Sequence, residues 1–475
     1  MGSDTPELPT DQRVEGLLVE PGGVESEAAV GGGAKRRPRT PKSSTERRGT
    51  TAPKGVTGGA QRLPNPCLDA PLVPTQVATT HYEVVLPFTP STKGLTAYAN
   101  HFKHVKVMDR RVDPPKVTFD DKALTSLSAK YPDAIYSHLA ERREIEKCLG
   151  TYVRGIVPFI KRPSGRLCGE MAPTTLTLRL AQRAPSLLNL PRVEGDSIYN
   201  VVREMYVAAP GHTLMAVDYS GVEAVLVGYL AKDPTYIRLA KMDPHSFFVS
   251  HIIGQPADLA ASDEDLAAYL HEIKGREKVK RQAAKKIQHA ANYGATAHKA
   301  HLEEPRLFPK KADAQRLMDL YHGLFPSVGQ WHTAVCDEIE AHGFVTAPSG
   351  FRLHYTDVYD HVWSKEKGRW ERSFGASAKE AFAAVPQHLG AVALMGAAVT
   401  MCREWPEFRD MLRLLIHDEM LAEVPEHEVD LWDARVQEVM KRPLPYLPLP
   451  PEWGMGTHLS VNVESKRGNV WAHMR

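Results

Sequence analysis

The stretch Leu214-Met-Ala-Val-Asp218-Tyr-Ser-Gly221-Val-Glu223 constrains this chain more than any other. Four apolar residues deliver a single carboxylate, Asp218, and the Ser220-Gly221 pair turns the chain before a helical run opens around Glu223. This predicts a buried strand ending on an acid, and a carboxylate that is rigidly held yet meets solvent suits a metal site. One acid does not hold a metal alone. Roughly two hundred residues on, Leu414-Leu415-Ile416-His417-Asp418-Glu419-Met420-Leu421 sets two apolar runs around a polar His-Asp-Glu, as a hairpin does when it presents acids at its turn. Asp218 and Asp418 side by side would hold a pair of Mg²⁺ ions about 4 Å apart, which activates an attacking oxygen and steadies a leaving one in phosphoryl transfer. Taken singly, each stretch has a plainer reading: a strand-end acid and a hairpin turn.

Between the two lies Arg281-Gln-Ala-Ala-Lys285-Lys-Ile-Gln-His289-Ala-Ala-Asn-Tyr293-Gly294. Arg281, Lys285, His289 and Tyr293 recur every four residues, so on a helix they form one stripe, cationic toward the N-terminus and aromatic toward the C-terminus. Such a face grips a triphosphate at one end and stacks a base at the other. For Lys278, Lys280 and Lys286 a solvated helix surface is the better account. Together and in this order, the three stretches resemble family A DNA polymerases, the group of bacterial DNA polymerase I and several phage replicative enzymes. Their Asp-Tyr-Ser-x-x-Glu, Arg-x3-Lys-x7-Tyr-Gly and His-Asp-Glu motifs all stand here.

The resemblance covers about 125 to 475 and implies a mixed α/β, right-hand polymerase fold with an antiparallel-sheet palm, helical fingers and a reduced thumb. It places the thumb-like region at 81–157, the palm at 158–235 and 375–475, and the fingers at 236–374. It implies a template-directed DNA polymerase that acts on primer-template DNA and deoxynucleoside triphosphates. Asp218 and Asp418 would be the ligands of two Mg²⁺ ions, with Glu419 at their edge. His245, Arg281 and Lys285 would neutralise the triphosphate, Lys285 also protonating the departing pyrophosphate, while His289 and Tyr293 pack on sugar and base. Glu223 would block a ribose 2′-hydroxyl. Arg179 falls on the family arginine that reaches the primer end through the minor groove, where purine N3 and pyrimidine O2 accept in every correct pair. Gln387, Lys379 and His417 are the other expected DNA contacts. This chain departs from the family at Ser186 and Leu188, where Asn and Gln are usual, at Lys379, where Arg is usual, and at Ala383, where Asn is usual. Two rivals remain: an RNA polymerase or primase on the same palm, which Glu223 disfavours, and a non-catalytic DNA-binding remnant, which the intact Asp218, Asp418, Arg281 and Lys285 disfavour.

Composition decides less. Hydrophobic residues at 42% and charged residues at 24% are ordinary for a globular protein. A net charge of +2 does not announce nucleic acid, so any basic footprint is local, as between Lys274 and Lys286, where seven Lys or Arg face one Glu. Five cysteines without a Cys-x-x-Cys pair argue against a zinc site or a disulfide framework and for a reducing compartment, the cytoplasm of a bacterium or phage-infected cell. No apolar run approaches the roughly 20 residues that span a bilayer, so no membrane role is expected. A monomer is expected, with a helicase or processivity factor as a further partner. Residues 1–80 are rich in Gly, Pro and charge and read as a disordered tail, with a basic cluster at Lys35–Arg48. Only some forty residues, about 80 to 117, precede the helical segment Phe119–Tyr152, which predicts a small thumb and no proofreading domain.

Overall fold

The computed structural model describes residues 90–474 apart from 110–113, 133, 162–163, 192–197, 306 and 365–367, all within one unit, Pro87–Arg475. The expected tail lies outside the described residues.

The run from Leu214 becomes the strand His212–Tyr219, and it is apolar because both of its faces are covered. It pairs antiparallel with Glu419–Pro425 on one side and Val463–Gly468 on the other, and Leu412–Ile416 closes a four-stranded sheet beyond Glu419–Pro425. Successive side chains alternate between faces. Met215, Val217 and Tyr219 enter the main core, whereas Leu214 and Ala216 pack with Leu187, Leu190, Val202 and Trp471 on the other face. The chain leaves the strand through Gly221 at φ 61°, a left-handed conformation that favours glycine, and begins the helix Val222–Leu230.

The helices between 234 and 342 follow their local signals. Pro234–Met242 and Pro244–Ile252 each open on proline at the first turn, with Asp233 and Asp243 accepting from backbone amides as caps. Ser262 caps the helix Asp263–Arg276, whose first turn is acidic and whose Leu266, Leu270 and Ile273 enter the core. The continuous amphipathic pattern of 312–343 is cut in two, Lys311–Leu324 and Pro326–His342, because a proline ring at 326 removes an amide and crowds the preceding turn. Nearer the N-terminus, Asp121–Lys130 and Tyr136–Lys147 bury Leu124, Leu127, Tyr136 and Leu139 in a small core of their own with Leu95 and Phe119.

One expectation needs correcting. The helix Ala376–Glu404 is, by length and composition, long and apolar enough to cross a bilayer. Its Ala- and Gly-rich sequence is apolar all round because 67% of its most apolar window is buried in the domain, with Phe382, Val385, Leu389 and Met401 in the core.

The sheet also carries a buried acid. Glu423 is 1% exposed and takes hydrogen bonds from Arg166, from Arg413 Nε at 2.8 Å and from the Ala209 amide at 2.6 Å. Burial pushes its pKa up, but these donors outweigh that and hold it at about 2, against 4.5 ordinarily. A depressed carboxylate adds stability above its unfolded value and loses it as pH falls through the folded one. Glu423→Gln should therefore lower the unfolding free energy at neutral pH by about 2 kcal/mol, since it removes the charge that two part-exposed arginines and an amide share. Urea melts should show the difference shrinking as pH falls from 4.5 toward 2. Equal melts at neutral pH would refute the anchoring role.

Candidate active site

Strand register builds the site. Asp218 stands opposite Glu419 on one neighbouring strand and Glu464 on the other, so three carboxylates form a row on one sheet face. His417 takes φ 55° in the two-residue turn between the hairpin strands, and the Asp418 carbonyl accepts from the Tyr219 amide at 3.2 Å, tying the turn to the end of the central strand. Asp218 Oδ1 is buried with no hydrogen-bond partner among the described residues. Burial first, then the charges of Asp418 and Glu419, push the Asp218 pKa up to about 7. Asp418 is raised too, by burial and by Glu223.

Crowded, desolvated carboxylates with an orphaned oxygen are suited to a divalent cation. No three His, Cys, Asp or Glu side chains converge closely enough among the described residues to hold one unaided. That donor set fits Mg²⁺, which binds through one or two carboxylates and completes its octahedron with waters and substrate phosphates. The acids open on a cavity of about 450 Å³ whose other walls include Leu188, Leu190, Arg203, Lys466 and Trp471.

The expected stripe lies on the helix Lys278–Asn292, and Tyr293 sits just past its end. The cations are not equally free. Arg281 is held by both oxygens of Asp243, Nε to Oδ2 at 3.0 Å and Nη2 to Oδ1 at 3.1 Å, although sequence assigns that guanidinium wholly to a triphosphate. Burial pushes the Asp243 carboxyl up, but hydrogen bonds from Arg281 and Ser246 bring it below the usual range. His245 is hydrogen-bonded to Gln288, and burial lowers its pKa, so it is neutral at pH 7. Lys285 is exposed and makes no hydrogen bond or ion pair among the described residues. His289 is exposed, its ring edge-on to Tyr293 with centroids 4.8 Å apart.

Glu223 joins the two halves of the site. One oxygen accepts from Arg179 Nη2 at 2.5 Å, and the other accepts from the Tyr293 hydroxyl. Arg179, expected to face a primer end, is thus engaged inside the chain. Burial and the Glu223 charge push the Tyr293 phenol well above its ordinary pKa, so it remains a donor at neutral pH. Gly294 follows at φ +63°, and a Cβ there would lie 2.9 Å from the Phe382 ring. Lys379 and Ala383, from the long helix, share a cavity with His289 and Tyr293. His417 lies beside Arg179 in a narrow cleft, and Gln387 is half-buried further along the long helix, away from the acid row's cavity.

Sequence reasoning missed the residues that steady this surface. Gln288 and Asn292 interrupt the apolar stripe of Ala284, Ile287 and Ala291, and that interruption is the signal that could have found them. Asn292 meets the Tyr236 and Tyr321 hydroxyls in a buried cluster, and its carbonyl bonds His332 Nε2 at 2.9 Å.

A family model described as DNA polymerase family A matches residues 90–473. The chain is 27% identical over 340 residues to the thermostable DNA polymerase I of Thermus thermophilus, and 26% identical over 338 residues to DNA polymerase I of Deinococcus radiodurans. Each match covers 70% of this chain but only 37% and 32% of those proteins, so the chain spans about a third of the length of these relatives. Its fold is similar to the POL domain of Pol1 from M. smegmatis, solved in complex with DNA primer-template and dNTP. The TM-score is 0.62 at 21% identity, covering 81% of this chain and 61% of that one.

The acid row generates a test that needs no turnover. The folded pKa of Asp218, about 7, lies above its ordinary 3.8, so the native state binds the extra proton and stability falls as pH rises between those values. In EDTA at about pH 8, Asp218→Asn should melt several degrees above the parent, and the gap should close by about pH 5. Added Mg²⁺ should raise the parent's melting temperature and not the variant's. A variant melting at or below the parent in EDTA at alkaline pH would contradict the charge assignment.

Proposed function

The chain belongs to DNA polymerase family A, and from that membership we propose that it is a template-directed DNA polymerase extending a primer 3′ end with deoxynucleotides. The observation that carries this reading is one juxtaposition. Asp218, Asp418 and Glu419 meet at one end of the sheet, and Glu223, five residues beyond Asp218, is bonded to Tyr293 at the end of the cationic stripe. On this reading the proposed metal ligands and the proposed nucleotide-binding cations would flank one nucleotide.

Asp218 and Asp418 would hold two Mg²⁺ ions, which supply the charge that activates the primer 3′-hydroxyl and steadies the departing pyrophosphate. Glu419 flanks them. Lys285, exposed and without an ion pair among the described residues, would meet the triphosphate and give its proton to the bridging oxygen as the bond to the α-phosphorus breaks. Arg281 uses only part of its guanidinium on Asp243, so the remaining donors meet the phosphates from a preset position. Neutral His245 donates without adding charge. His289 and Tyr293 take the sugar and base, and Lys379, Gln387, His417 and Arg179 line the path of the duplex. The chain by itself is expected to leave a mismatched 3′ end untrimmed, which gel analysis of labelled primer in the absence of nucleotides would check.

Asp218→Ala or Asp418→Ala should abolish incorporation while primer-template affinity stays within a few-fold of the parent, because each removes a ligand and little packing. Robust extension by either variant would overturn the assignment. Glu223→Ala removes the carboxylate fixed between Arg179 and Tyr293, and it should admit ribonucleotides. Discrimination equal to the parent's, measured as the ratio of kcat/KM for dNTP and NTP, would show that Glu223 is an internal brace only.

A further inference from the structure

The cavity beside the acid row contains a residue to which the polymerase reading gives no part. Lys466, on the strand Val463–Gly468, stands opposite Ala216, so it projects from the same sheet face as Asp218 and Glu464. It lies one rung from that pair, about 7 Å along the strand. Its side chain is exposed and lines the cavity together with Asp218, Asp418 and Glu419.

Two accounts compete for it. The Lys466 charge does pull the Asp218 carboxyl down, but less than burial and the neighbouring acids push it up, and Lys466 forms no ion pair or hydrogen bond among the described residues. Nor is the cavity supplied with another ready cation. Arg203 stacks on Trp471 at 4.7 Å and donates to the carbonyls of Pro191 at 2.7 Å and Leu190 at 3.4 Å. An exposed ammonium without an ion pair among the described residues, beside a site for a reacting 3′-hydroxyl, is suited to an anion on the strand that carries that hydroxyl.

We propose that Lys466 binds a backbone phosphate of the primer strand, at the linkage nearest the 3′ end. This rests on the polymerase reading, which sets the 3′-hydroxyl at Asp218; one rung of the sheet is then comparable to one nucleotide of backbone. The contact is sequence-independent and adds one neutralised phosphate to the grip on DNA.

The test is primer-template affinity, measured by fluorescence anisotropy over a salt series for the parent, Lys466→Gln and Lys466→Arg. Each is paired with an unmodified primer and with one carrying an uncharged methylphosphonate at the last linkage. Lys466→Gln should weaken binding equally on every sequence and make the slope of log K against log salt shallower by about one. Lys466→Arg should keep the parent slope. The methylphosphonate should weaken the parent several-fold and leave Lys466→Gln unchanged, because the partner is already gone. An unchanged slope in Lys466→Gln, or losses from variant and modification that simply add, would overturn the proposal. Failure of the parent itself to bind or extend unmodified primer-template would instead overturn the polymerase reading, so the two failures are distinguishable.

Discussion

The antiparallel ladder through His212–Tyr219 joins segments about two hundred residues apart, and the acid row exists only when that ladder closes. Side chains alternate with a period of two, so a one-residue slip of the central strand would turn Asp218 into the core beside Met420 and send Val217 toward the cavity. Register is held from both flanks: Glu419–Pro425 and Val463–Gly468 each pair along most of the strand, and the Tyr219 amide closes on the Asp418 carbonyl. Glu423, clasped by Arg166 and Arg413, fixes the same hairpin at its far end. The geometry of the acid row is a consequence of backbone pairing more than of side-chain contact.

The cationic side is arranged differently. Arg281 and Arg179 are each tethered by an acid outside the pair proposed to bind metal, Asp243 and Glu223 respectively, and each tether also organises backbone or aromatic structure nearby. Asp243 caps the helix Pro244–Ile252 while it holds Arg281, so the orientation of one helix sets the position of a guanidinium on another. Such preset donors need no reorganisation when charge develops, which is where electrostatic stabilisation is largest. Lys285, by contrast, has no such tether among the described residues.

Much of this was legible in the sequence, and the boundary is physical. The strand ending at Asp218, the hairpin turning at His417-Asp418 and the helix bearing Arg281 to His289 are written in local periodicity, which short segments carry by themselves. Asp233-Pro and Asp243-Pro announced their helix starts for the same reason. What could not be read is non-local: that Arg179 closes on Glu223, that Glu464 and Lys466 flank Asp218 from a third strand, and that Tyr236, Asn292 and Tyr321 share one buried cluster. No local pattern states which strand lies beside which. The length and apolarity of the helix Ala376–Glu404 were underread because single polar residues such as Gln387 and His388 break its apolar run without making the segment polar on average.

Asp218 and Glu423 lie on one face of one sheet, and the contrast between them argues for what the site lacks. Glu423 is deeply buried and fully answered by two arginines and an amide, so its pKa falls to about 2. Asp218 is flanked by Glu419 and Glu464, has an oxygen with no donor among the described residues, and rises to about 7. Like charges set directly opposite one another across strands destabilise a sheet, and a single arginine in place of Glu464 would have relieved the row. The chain answers a buried acid where the acid serves the fold. Where it leaves an acid without a donor among the described residues, with Lys466 near but not paired, the arrangement suits a cation from outside the chain, and perturbed acids of this kind gather where chemistry is done.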